Sequence, residues 1–338
     1  MAVTTFTAPE YQVDGSVRTT AYVFSGSSEA GWEVLREGKP HLRLGQGYRL
    51  LAVSHCGVCA TDLARRHLPF PLPQVTGHEV VAREESGAPV VVEINASHAA
   101  RGLAHRGRCP YCTRDLPTHC PERLVLGIHD LPGGFAPWLL APVESVVPVP
   151  PALSAATAAL VEPFAAALHA VRGLDLADGQ RVAVLGPRRL GALVVAALAA
   201  TRARGGARYE ILAVARRAEM RALARALGAD DVLDAAATTN MTDLADVVID
   251  TTGSPSGLPL AVQLATREVH VKSTTGQPAL GLAHATALVV DEISLVAYRN
   301  ADLSSTTLPG PRPAVAALVG RLPDSVRRDC EARGLRVV

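Results

Sequence analysis

Apolar and polar positions change texture once along this chain. From Tyr48 to about Val149 the apolar runs are short, β-branched and broken by glycine and proline, as in Arg49-Leu50-Leu51-Ala52-Val53 and Pro89-Val90-Val91-Val92-Glu93. That pattern predicts small strands in an irregular β-rich domain. From about Leu153 to Leu288, alanine-rich helical stretches alternate with brief apolar runs at Arg181–Leu185, Glu210–Val214, Asp246–Asp250 and Val269–Lys272. Short strands separated by helix-length segments predict βαβ units on a parallel sheet, because a parallel neighbour is reached only through a crossover. Residues up to about 25 are polar and rich in threonine and serine, and read either as a flexible arm or as an added strand. After Val296 the pattern weakens into proline-rich sequence before a short helix and strand, and no internal repeat is found.

Composition narrows the class. A chain of 338 residues is long enough for two domains with filled cores. The 33 basic and 32 acidic residues leave a formal charge of +1, which argues against nucleic acid or a membrane surface as a partner. The hydrophobic fraction is 48%, yet arginine and aspartate interrupt every long apolar run before it could span a bilayer. The opening MAVTTFTAPEYQVDG has no basic region followed by an apolar core, so no signal peptide and a cytoplasmic location are expected. Four of the six cysteines form C-x-x-C pairs, with Cys120 close behind; without a secretion signal this reads as metal binding rather than a disulfide frame.

The chemistry concentrates in Cys56-Gly57-Val58-Cys59-Ala60-Thr61-Asp62-Leu63, followed by Gly77-His78-Glu79. A thiolate, an imidazole and carboxylates are the ligand types of a catalytic zinc, which takes three protein ligands and keeps one position open. Glu162, in Glu162-Pro163-Phe164-Ala165-Ala166-Ala167-Leu168-His169-Ala170, is the natural distant ligand. These patterns, C-G-x-C-x-T-D-L, G-H-E and E-P-x-A-x-A-L-H-A in this order, resemble the zinc-dependent medium-chain dehydrogenase/reductase family of alcohol, polyol and threonine dehydrogenases, over roughly residues 45–296.

The resemblance implies an α/β fold: a GroES-like β-rich catalytic domain from residues 1–152 and 292–338, and a Rossmann doubly wound parallel-sheet domain from 153–291. It implies zinc held by Cys59, His78 and Glu162, with Glu79 a transient ligand or a neighbouring support. Asp62 would receive the other N–H of His78, and Thr61 would relay the substrate's proton. The family's relay ends in a histidine where this chain has Ala64, so His67 is the expected substitute; the plainer alternative is a helix cap at Thr61 and a solvent-facing His67. Cys109, Cys112 and Cys120 match three of the four cysteines of the family's structural zinc lobe. Arg106 stands at the place of the first, leaving His105, His119 or Asp115 as a fourth ligand.

For the dinucleotide, Gly186-Pro187-Arg188-Arg189-Leu190-Gly191 follows a strand and opens a helix, but Arg188 replaces the central glycine of G-x-G-x-x-G. Its guanidinium either crowds the phosphate track or clamps phosphate directly. No carboxylate ends the next strand, where Arg216 and Arg217 stand, so NADP is favoured over NAD. Thr252 and Gly253, and later Ser273, follow strands at the edge where such sheets bind ligands.

The expected activity is hydride transfer between a secondary alcohol or polyol, or the matching ketone, and NADP(H) or NAD(H), by a homo-dimer or homo-tetramer. Val289–Val296 is the candidate pairing edge. Ala64, Arg106, Arg188 and the tail 297–338 depart from the family pattern and support a different reading, a degenerate dehydrogenase-like binding or assembly subunit. A third reading makes Cys56-x-x-Cys59 a thiol–disulfide couple.

Overall fold

The computed structural model describes residues 2–103, 109–114 and 116–272, together with the backbone of 297–299 and 335–337. The chain divides into two compact units, Met1–Glu162 and Pro163–Val338.

The first unit begins with an antiparallel meander of β1 (Ala2–Tyr11), β2 (Val17–Ser27), β3 (Gly31–Arg36) and β4 (Lys39–Leu44), paired in that order. The polar N-terminal segment is therefore a strand, paired over its whole length from Ala2 opposite Gly26 to Tyr11 opposite Val17. Period-two alternation explains it, since Phe6, Ala8 and Glu10 point inward while their neighbours face out. Phe6 packs edge-on against Phe24 with ring centroids 4.8 Å apart. Glu10, only 1% exposed, accepts hydrogen bonds from Tyr22 (2.5 Å), Thr20 (3.1 Å) and Gln12 (2.8 Å), and pairs with Arg36 at 2.5 Å. A buried carboxylate is tolerated only when paired and hydrogen-bonded, so this network pins β1 in register.

Next come β5 (Tyr48–Gly57), α1 (Ala60–Leu63), β6 (Glu79–Arg83), β7 (Pro89–Val92), β8 (Asn95–Ala96), β9 (Leu124–Leu126), β10 (Asp130–Leu131), β11 (Trp138–Pro142), β12 (Val146–Pro148) and α2 (Ala155–Ala158). They build a five-stranded sheet in the order β11-β5-β6-β7-β12 and a small one in the order β10-β9-β8. One core, with Tyr22, Phe24, Trp32, Tyr48, Leu51 and Leu139 at its heart, joins these strands to the meander.

The second unit alternates helix and strand: α3 (Val161–Arg172, whose first two residues belong to the first unit), β13 (Arg181–Leu185), α4 (Arg189–Ala203), β14 (Glu210–Ala215), α5 (Ala218–Ala226), β15 (Asp231–Asp234), β16 (Ala245–Asp250), α6 (Gly257–Leu264) and β17 (Ala265–Val271). The sheet is parallel in the order β15-β14-β13-β16-β17. Both faces of its central strands are covered, which is why they read as unbroken apolar runs. Val182 and Val184 pack on one side with Val194, Val195 and Leu198 of α4, whereas Ala183 and Leu185 pack on the other with Leu258, Ala261 and Val262 of α6. A final antiparallel pair, β18 (Ala297–Arg299) and β19 (Leu335–Val337), ends the described chain. The expected return of 292–338 to the first unit falls largely outside the described residues, as does the candidate pairing edge Val289–Val296. Among the described residues no helix is long and apolar enough to cross a membrane.

Candidate active site

Sheet register brings the first donor set together. β5 and β6 are antiparallel neighbours with Gly57 opposite Glu79, so Cys59, just past the end of β5, and His78-Glu79, at the start of β6, lie at the same end of the sheet. Cys59, His78 and Glu79 each offer a donor atom, and these lie within 4.8 Å of one another. His78 and Glu79 are buried and Cys59 half-buried. The glycine of C-G-x-C leaves room for this approach: a Cβ at Gly57 would stand 2.1 Å from Glu79 Oε2, so the carboxylate would have to shift.

One carboxylate ties the two donor-bearing segments. Asp62 Oδ2 accepts from the Cys59 amide at 2.8 Å and Asp62 Oδ1 from the Gly77 amide at 3.1 Å. The same Oδ1 lies 3.6 Å from His78 Nδ1, an ion-pair distance rather than a hydrogen bond. Asp62 thus faces His78 on the nitrogen that leaves Nε2 for a metal, in the manner of carboxylate–histidine–metal arrangements. Thr61 Oγ1 lies 3.6 Å from Cys59 Sγ. His67 is exposed and its Nε2 accepts from Arg66 at 2.9 Å; among the described residues no hydrogen bond joins it to Thr61.

The electrostatics suit a cation. Burial pushes the Cys59 thiol upward, but His78 and then the Thr61 amide and hydroxyl outweigh it and hold the thiol below its usual value. Burial opposes charge on His78, yet Asp62, Cys59 and Glu162 together push the ring up to about 10. Glu162, in the first turn of α3, is raised chiefly by burial and partly offset by His78. It stands near His78 but outside the compact trio. The ring's proton occupies the electrostatic role that thiolate and carboxylates otherwise offer to a divalent ion, and the thiolate, imidazole and carboxylate set is one that zinc accepts. Cys56 packs against the apolar core, whereas the donor group gathers Cys59, His78 and Glu79.

The second cluster is also assembled. Cys109, Cys112 and Cys120 are buried free thiols, and the donor atom that completes their group is His98, a residue the motif reading did not single out. His98 precedes Cys109 by eleven positions, far outside any C-x-x-C spacing, so no local pattern marks it. His119 instead stacks on Tyr111 at 6.4 Å, and His105 and Asp115 lie outside the described residues.

In the parallel sheet the strand order reverses between β13 and β16, the switch point beside which open α/β sheets bind nucleotides. The loops after these two strands are fastened together, since Thr251 Oγ1 lies 2.7 Å from the Leu185 carbonyl and 2.9 Å from that of Gly186. The helix approaches closely here: a Cβ at Gly191 would be 2.3 Å from Thr251 Oγ1. Arg188 caps the N-terminus of α4 and, like Arg189, is exposed. Thr252 donates its amide to Asp250 Oδ1 at 2.8 Å, and Gly253 follows it. Arg216 and Arg217, exposed beyond the end of β14, stand on the neighbouring strand, with Arg217 3.8 Å from Glu219. Ser273 lies outside the described residues.

A β-rich unit carrying a Cys-His-Glu donor set is thus followed by a Rossmann-type parallel-sheet unit with a nucleotide-type switch point. Residues 45–151 match the alcohol dehydrogenase GroES-like domain. The chain is 30% identical over 159 residues to L-galactonate-5-dehydrogenase of Escherichia coli K12, covering 45% of this chain and 46% of that one. It is 29% identical over 235 residues to L-threonine 3-dehydrogenase of Rhizobium johnstonii, covering 67% and 65%. The chain thus spans between about half and two thirds of the length of these relatives. The NADP-bound crystal structure of a candidate zinc-binding dehydrogenase from Sinorhizobium meliloti 1021 superposes with a TM-score of 0.61 at 25% identity, over 80% of this chain and 76% of that one. Residues 45–151 thus form a GroES-like domain, and the chain is similar in sequence and fold to zinc-dependent medium-chain dehydrogenases/reductases.

Proposed function

We propose that this protein is an oxidoreductase that moves a hydride between a secondary alcohol or polyol, or the matching ketone, and NADP(H). The observation that carries the reading is the compact Cys59, His78 and Glu79 donor set, braced by Asp62 and adjoined by Thr61. On this reading residues 1–152 with 292–338 form the catalytic domain and 153–291 the nucleotide domain, and Cys59, His78 and Glu162 hold zinc with Glu79 in support. Bound zinc would act as a Lewis acid that makes an alcohol's proton easy to remove near neutral pH, and nicotinamide would take the hydride.

The chain's own residues then have defined tasks. Asp62 fixes the His78 ring and the backbone that presents Cys59. Thr61 accepts the substrate hydroxyl's proton and passes its own onward to solvent, with His67 at the exposed outlet. Arg188, Arg189 and the N-terminus of α4 hold the pyrophosphate, and Arg216 and Arg217 face the second ribose phosphate, which supports NADP over NAD. The chain's similarity to an L-galactonate dehydrogenase and an L-threonine dehydrogenase supports a small polar alcohol as substrate. A cytoplasmic homo-dimer or homo-tetramer accompanies the reading, and light scattering on the purified chain checks the stoichiometry.

The test is fluorescence titration of the zinc-loaded protein with NADPH and, in parallel, NADH, followed by a panel of secondary alcohols, polyols and ketones. Saturable NADPH binding with turnover supports the reading. A specific observation favours a second one: Arg188 sits where the fingerprint wants glycine, and binding of neither nucleotide would assign the chain to the non-catalytic subunits.

A further inference from the structure

We propose that the fourth donor of the metal lobe formed by Cys109, Cys112 and Cys120 is His98, through Nδ1, and that Glu122 holds its ring through Nε2. The assignment is independent of the reaction proposed above. Arg106 occupies the position of the expected first cysteine, and arginine cannot ligate a cation; His98 enters from farther upstream, in the turn that follows β8.

Two of the six donor separations can be set against those of a tetrahedron. Zinc binds sulfur at about 2.3 Å and imidazole nitrogen at about 2.0–2.1 Å, so a tetrahedral site sets its sulfurs about 3.8 Å apart and each sulfur about 3.6 Å from the nitrogen. Cys109 Sγ and Cys120 Sγ are 4.0 Å apart, and His98 Nδ1 is 3.6 Å from Cys120 Sγ. All four donor atoms lie within 4.8 Å of one another. Cys109 and Cys120 stand as free thiols in the structure, 4.0 Å apart against the about 2.05 Å of an S–S bond.

Three buried thiols on their own are an ordinary small apolar cluster. One feature sets this one apart. His98, whose side chain is 13% exposed, turns Nδ1 toward sulfur and places Nε2 2.9 Å from Glu122 Oε2, the second hydrogen bond by which metal-binding histidines are oriented.

The experiment uses the full chain in a Cys59→Ser background, so that thiolate-to-cobalt absorption reports this lobe alone. With Co2+ as probe, this chain should bind one ion at the lobe with the absorption of a tetrahedral three-thiolate site. Adding His98→Ala should abolish that binding, and Glu122→Gln should weaken it roughly 10- to 100-fold. His98→Cys should restore it, with thiolate charge-transfer intensity higher by about a third as a fourth thiolate joins the tetrahedron. If His98→Ala fails to fold, His98→Cys carries the test. A lobe that takes up no cobalt in the Cys59→Ser chain, unchanged affinity and spectrum in His98→Ala, or a His98→Cys chain without the added charge-transfer intensity would each overturn the assignment.

Discussion

Replacing Asp62 should loosen the first donor set before any chemistry is measured. Its carboxylate receives the Cys59 amide at 2.8 Å and the Gly77 amide at 3.1 Å, and it is only 7% exposed. A hydrogen bond to a charged acceptor contributes about 1.5–3 kcal/mol, so Asp62→Ala removes roughly 3–6 kcal/mol and strands two amides. Asp62→Asn keeps one carbonyl acceptor and should lose about half of that. Loss of the partner that faces His78 should also weaken zinc by roughly 10- to 100-fold. Urea denaturation of the metal-free chain reads the first effect, and competition with a chromophoric chelator reads the second. The decisive feature is the order Asp62, then Asn, then Ala in both measurements. An Asp62→Ala chain within 1 kcal/mol of the parent, with unchanged zinc affinity, would refute the view that this carboxylate joins the two donor-bearing segments.

Three further outcomes are expected. Cys59→Ser should remove one zinc per chain and abolish turnover, as metal analysis and the nicotinamide assay will show; retained turnover would dismiss the zinc mechanism. Glu10, which burial alone would raise but Arg36, Tyr22 and Gln12 bring down to about 2 from 4.5, should contribute up to about 3 kcal/mol that is fully present above pH 4.5 and lost as pH falls toward 2. Acid unfolding of Glu10→Gln should show a flatter dependence in that window, and an unchanged slope would contradict the assignment. Replacing both Arg216 and Arg217 with alanine removes charged contacts to a ribose phosphate, at about 1.5–3 kcal/mol each, and should weaken NADPH roughly 100-fold or more while leaving NADH nearly unchanged; equal loss for both nucleotides would argue against their role.

Local patterns carried most of the architecture. The β-rich and alternating halves follow from periodicity, and Val182–Leu185 is apolar without a break because helices cover both of its faces. The Cys59, His78 and Glu79 trio was legible because antiparallel register turns two short motifs into one place. The N-terminal segment resisted reading because its outward-facing threonines mask Phe6, Ala8 and Glu10, and the partner of Glu10, Arg36, lies two strands away. His98 resisted for a related reason: an isolated histidine carries no spacing signal, and only the fold sets it beside Cys120.

The close approach of Gly57 and Glu79 also constrains how this sequence can drift. Any side chain at 57 meets the Glu79 carboxylate at 2.1 Å, whereas with the carboxylate trimmed away the nearest atom is Glu79 Cβ, at 3.0 Å. Gly57→Ala should therefore be harmful in the present background and better tolerated after Glu79→Ala. Trimming Glu79 first is the less costly order, so the two positions are epistatically coupled, and a lineage that has abandoned the carboxylate loses the closest of the contacts that hold position 57 to glycine.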